Sequence, residues 1–142
     1  MSNRFAVRRT ITINAPLNKV WQALTDPALI KQYLFGTETI SDWERGSTIT
    51  YKGEWQGQHY EDKGVIIDII PDRLLHTTYY SSMSGKPDFP EYYANVIYEL
   101  KAEGDHTVIH FTQDNIETEE ALKHSEQNWD GVFAEMKKLL EK

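Results

Sequence analysis

The chain contains no cysteine. That excludes a disulfide framework, a thiolate nucleophile and cysteine-ligated metal. It has no apolar run near the roughly 18 residues that a membrane-spanning helix requires. The opening "MSNRFAVRR" carries no apolar core of a secretion signal. The expectation is a soluble, cytoplasmic protein with no membrane insertion. Cations are the minority charge: 15 Lys and Arg stand against 22 Asp and Glu, a formal net charge of -7. A chain of that sign repels phosphate backbones, so nucleic acid is not expected as a partner. No GxSxG, phosphate-cradling glycine loop or dinucleotide fingerprint is present. The histidines His59, His76, His106, His110 and His124 show no zinc spacing and no HxxxH on a helix. No metal site, no cofactor and no catalytic residue is therefore expected.

What is present is periodicity. "RFAVRRTITIN" alternates, with Phe5, Val7, Ile11 and Ile13 on one parity, and reads as a half-buried strand. In "NAPLNKVWQALTDPALIKQYL" two prolines start two short helices. Pro16 suits a first turn, and Leu17, Val20, Trp21 and Leu24 follow one helical face. Asp26 caps the second helix with Pro27 at its first position, Ile30, Tyr33 and Leu34 give its apolar side, and Gly36 is the stop.

The period then drops to two. Strands are expected over 47–55, 60–70 and 73–80, with Pro71 and Asp72 as a turn. From Val65 the second of these is apolar on both parities apart from Asp68. That implies either a strand covered on both faces or a bulge near Asp68. Residues 81–92 form a long loop of the functional or mobile kind. "YANVIYELKA" and "TVIHFTQDN" are strands around the hairpin turn "EGDH". A single helix from about 118 to 141, capped by Thr118, closes the chain and would be roughly 36 Å long.

This order predicts an α+β fold over one domain, 1–142. A curved antiparallel sheet of six to seven strands wraps around the long C-terminal helix, with two short helices after the first strand. The stretches "APLNKVWQALTDPALI", "GVIIDIIPDRLLHT", "VIYELKAEGDHTVIHFTQ" and "WDGVFAEMKKLLE" resemble the helix-grip fold of START-like, birch-pollen-allergen-like (SRPBCC) proteins. The branch they resemble is the C-terminal domain of activators of the heat-shock-protein-90 ATPase. The resemblance implies either a ligand cavity or a heat-shock chaperone as partner. It is broken at Tyr33 and Thr78, where the family often has Trp; both positions are expected to touch the interior.

Aromatic residues make up 12% of the chain. Trp21, Trp43, Trp55, Trp129 and Tyr79 are among those that cannot all be surface. Tyr and Trp line ligand pockets because each offers an apolar face and one polar tip. In the closing helix the C-terminal half is densely apolar and the first half is sparse, with Ser125 and Asn128 on or beside the stripe and Gly131 mid-helix. Tight packing at one end and loose packing at the other predicts a gap under the loose end.

The contacts expected for a small apolar or aromatic ligand are Tyr51, His76, Thr78 and Tyr80 from the first strands, Tyr98 and Phe111 from the last two, and Ser125 and Trp129 from the helix. A cavity-facing His76 would orient a polar ligand head or act as acid–base catalyst, paired with Asp68 or Tyr98. The plainer alternative is a hydrogen-bonded strand histidine. The leading expectation is a carrier or sensor of a hydrophobic ligand. A chaperone-binding domain is second, and a cavity-based cyclase or hydrolase is third.

Overall fold

Pro27 is the first residue of its helix as expected, whereas Pro16 stands one position outside, as the extended N-cap (φ -68°, ψ 156°) of the helix that begins at Leu17, and the alternating stretches form strands. A computed structural model of the chain describes residues 4–82 and 84–141; the side chain of Trp55, one of the aromatics that cannot all be surface, lies outside the described residues. The elements are β1 (Phe5–Ile13), α1 (Leu17–Thr25), α2 (Pro27–Tyr33), β2 (Glu38–Ser41), β3 (Thr48–Trp55), β4 (Gln58–Ile70), β5 (Leu74–Tyr79), β6 (Ala94–Glu103), β7 (His106–Ile116) and α3 (Glu119–Leu140). A 3-10 turn, Pro90–Tyr92, precedes β6. All strand pairs are antiparallel, in the order β1-β7-β6-β5-β4-β3-β2. This is the helix-grip arrangement.

Local chemistry accounts for the boundaries. Asp26 Oδ1 accepts from the Ala28 N–H at 3.0 Å, which caps α2 ahead of Pro27. The β3–β4 hairpin turns on Gln56 and Gly57, both with positive φ (50° and 80°), a conformation suited to the right-handed twist of the flanking strands. Thr118 Oγ1 accepts from the Ala121 N–H at 3.0 Å and caps α3. The strand β2, which pairs its four residues with β3, was not anticipated; it is too short to show a period.

The ambiguity at Asp68 resolves as a bulge. The β4–β5 register shifts between Ile66 and Asp68, so Ile66 is buried, Ile67 is exposed and Asp68 turns outward. Arg45 Nη2 lies 2.5 Å from Asp68 Oδ1, and this hydrogen-bonded guanidinium holds the carboxyl below its usual range.

The core lies between the inner face of the sheet and α3. Val132, Phe133 and Met136 of α3 meet Val7, Ile13 and Ile109 of the sheet, with Val20, Leu24 and Ile30 from α1 and α2 packing beside them. Fully burying one such side chain contributes about 1.5–3 kcal/mol. Arg9, on the inner parity of β1, reaches out to α3, with Nε 2.8 Å from Asp130 and Nη1 3.5 Å from Glu126. With its side chain 32% exposed, Arg9 ties the helix across β1.

Gly131 sits mid-helix with no packing reason to be glycine, since a Cβ there would meet nothing within 4 Å. Gly131→Ala is expected to stabilise the fold by about 0.5–1 kcal/mol through helix propensity and a less flexible unfolded chain. A thermal melt raised by roughly 2–4 °C is the readout.

Candidate functional site

Along α3 the packing divides in two. The second half is buried among core residues, whereas Ala121, His124, Ser125, Asn128 and Trp129 of the first half line a cavity of about 1220 Å³. The loose half of the helix does overlie a gap. Inward-facing residues of four neighbouring strands form the opposite wall: Tyr51 of β3, Asp62 of β4, Thr77 and Tyr79 of β5, and Tyr98 of β6. Tyr33 of α2 and Trp43, between β2 and β3, add two further rings. Leu34 and Phe35 form an apolar rim, with Phe35 66% exposed and φ at 54°.

One end of the cavity is closed by a ring cluster. Trp129 lies 4.4 Å from Phe111 between centroids, and Tyr98 and Phe133 each lie 5.1 Å from Phe111. Tyr98 and Trp129 face the cavity, while Phe111 and Phe133 stand behind them in the core. Trp129 Nε1 donates to Gln113 Oε1 at 2.5 Å, which fixes the indole plane.

The phenols differ in how they are satisfied. Tyr33 donates to the Ala23 carbonyl at 2.8 Å, Tyr79 donates to Asp62 Oδ2 at 2.7 Å, and Tyr60 shares a 2.6 Å bond with Thr37 Oγ1. The Tyr51 and Tyr98 hydroxyls have no hydrogen-bond partner among the described residues. Burial pushes both phenols well above the ordinary tyrosine range, and the Asp62 charge adds to the effect at Tyr51. Both therefore stay protonated at any ordinary pH and present O–H donors to the cavity.

Of the residues expected from sequence, Tyr51, Tyr98, Ser125 and Trp129 line the cavity and Phe111 backs it. His76, Thr78 and Tyr80 do not line it; they occupy the opposite parity of β5. The reason is register. Leu75 stands across from Tyr98 and Thr77 across from Val96, so these β5 residues share the inner face of β6. His76 Nε2 instead donates to Asn95 Oδ1 at 2.9 Å, and Asn95 Nδ2 donates to Asp114 Oδ2 at 2.9 Å. The sheet separates His76 from Tyr98, and Asp68, its cross-strand neighbour, is held by Arg45. Thr78 also faces away from the interior, where its Oγ1 accepts from the Val65 N–H at 2.9 Å.

Tyr80 serves the long loop. Its hydroxyl donates to the Lys86 carbonyl and its ring stacks on Tyr93 at 5.2 Å. Lys63 pairs with Asp88 and Lys86 with Glu117, so the loop is pinned at several points. Tyr33 meets the interior as expected, whereas sequence reasoning missed Tyr60 and Asp62 as cavity residues. Their signal was the shared parity of Tyr60, Asp62, Gly64 and Ile66 on β4, with Ile66 fully buried.

Among the described residues no group of histidines and carboxylates could hold a metal ion, and no helix is long and apolar enough to cross a membrane. No curated protein matches the chain. Solved structures do. Protein ChR145 of Cytophaga hutchinsonii is 45% identical, with a TM-score of 0.85 over 96% of this chain and 94% of that one. The Aha1 dimer of Colwellia psychrerythraea (22% identical, TM-score 0.76) covers 96% of each chain. Protein MLL2253 of Mesorhizobium loti (20% identical, TM-score 0.78) covers 96% of this chain and 97% of its own. The last two likenesses speak for the fold alone. The family model described as "Activator of Hsp90 ATPase homolog 1-like protein" matches residues 14–141, and the chain belongs to that family.

Proposed function

We propose that the chain binds a small, mainly apolar or aromatic ligand between the sheet and the first half of α3, as a carrier or sensor. The observation that carries this reading is the combination of a cavity of about 1220 Å³ with the Tyr51 and Tyr98 hydroxyls, which have no partner among the described residues. Burying roughly 300 Å² of ligand at about 25 cal/mol/Å² gives some 7–8 kcal/mol before association costs. Net affinity is then micromolar at best unless polar contacts add to it.

Native mass spectrometry tests this, on the protein as purified and after incubation with a pool of fatty acids, sterols, flavonoids and polyketide-like aromatics. The expected result is a stoichiometric adduct lost on unfolding. A bare mass under both conditions counts against the reading. The family description carries a second reading, in which the chain acts on a heat-shock chaperone. Its observable is a changed ATPase rate of that chaperone when the protein is added.

A further inference from the structure

The cavity wall has a definite sign. Among the described residues no Lys or Arg lines it, whereas Glu54, Asp62 and Glu120 do, with His124 as the one imidazole. Asp62 is the buried member of the three, only 7% exposed. Its carboxylate accepts from the Tyr79 hydroxyl at 2.7 Å, the Ser82 N–H at 2.9 Å and the Ser82 hydroxyl at 3.1 Å. These are dipoles, not a counter-charge. Among the described residues no cation pairs with Asp62. Its chain neighbour Lys63 points to the other side of the sheet and binds Asp88. A buried carboxylate without a cation is costly, and hydrogen bonds offset only part of that cost.

The rings beside Asp62 favour the same kind of guest. Tyr51 and Tyr79 meet edge to face with centroids 6.0 Å apart, and both line the cavity. The faces of phenol rings are negative and attract cations, more strongly where water is excluded. A carboxylate ligand seated beside Asp62 would meet like charge; among the described lining residues the one basic group is the imidazole of His124, exposed on α3.

We propose that this cavity selects amphiphiles whose polar end is a protonated amine, seated against Asp62 beside Tyr51 and Tyr79, and that it discriminates against fatty-acid-like anions. The proposal rests on the ligand-binding reading above and specifies its ligand class. A role for Asp62 confined to holding Ser82, and so the start of the long loop, predicts no such preference.

Calorimetric titration of the full chain at neutral pH with naphthylbutylamine, naphthylbutanol and naphthylbutyric acid separates these cases. The amine is expected to bind about tenfold or more tighter than the alcohol, and the acid weakest. In Asp62→Asn the amine is expected to fall to within about threefold of the alcohol. Ser82→Ala, which removes a hydroxyl from Asp62 but keeps the carboxylate and the cavity lining, retains the preference. The wild-type ranking decides the matter even if Asp62→Asn does not fold. Equal binding of amine and alcohol, or tightest binding of the acid, overturns the charge assignment and leaves the cavity reading standing. Binding of none of the three overturns both.

Discussion

Phe111→Ala is expected to destabilise the protein by about 3–5 kcal/mol. Phe111 is 1% exposed and touches the rings of Tyr98, Trp129 and Phe133, with centroids 4.4–5.1 Å away. Truncation removes the transfer free energy of the ring and leaves a void that three other aromatics border. Those neighbours cannot collapse into it freely. Trp129 is held by its bond to Gln113, and Tyr98 sits on a central strand between β5 and β7. At this chain length the loss corresponds to a melting temperature lower by roughly 10–15 °C. A urea titration with unchanged slope and a reduced midpoint is the cleaner measurement. A loss under about 1 kcal/mol would mean that the ring cluster is not the partition between core and cavity described above.

Ser125→Trp is expected to weaken binding of an aromatic ligand about tenfold or more, a loss of about 1.4 kcal/mol, without unfolding the protein. Ser125 is half-buried, lines the cavity and precedes Trp129 by one helical turn. One indole does not fill 1220 Å³. It does occupy the strip beneath α3 beside Trp129, where a planar ligand would stack. Because the new side chain enters open space rather than a packed core, stability should change by less than about 1 kcal/mol. Calorimetry with a ligand identified by mass spectrometry, run beside a thermal melt, reports both quantities. Undiminished affinity in the folded variant would place the ligand elsewhere.

These two substitutions also mark what the sequence discloses and what it hides. The order of elements was legible because period two and period 3.6 alternate cleanly, and Asp26, Pro27 and Thr118 punctuate them. The cavity was legible in α3, where small and polar residues at 125 and 128 interrupt a stripe that becomes continuous from Val132 on. The facing of β5 was not. Its two parities carry Leu74, His76, Thr78 and Tyr80 against Leu75, Thr77 and Tyr79, and neither is plainly more apolar. Only the register with β6, whose Val96 and Leu100 are buried, decides between them. Asp62 was missed because a charged residue in an alternating strand is ordinarily assigned to the solvent face. The bulge at Asp68 was half legible: an apolar run on both parities needs either cover on both faces of the strand or an extra residue in its register.

The two halves of α3 also stand under different evolutionary constraints. Val132, Phe133 and Met136 are locked into the shared core, so exchange there endangers the fold. Ala121, His124, Ser125 and Asn128 border open space, so most exchanges there fall within about 0.5 kcal/mol. A lineage can therefore rewrite the first half of this helix, and with it what the cavity accepts, without crossing the stability threshold that the second half maintains. One helix thus combines a region that must be inherited almost unchanged with one that is free to diversify.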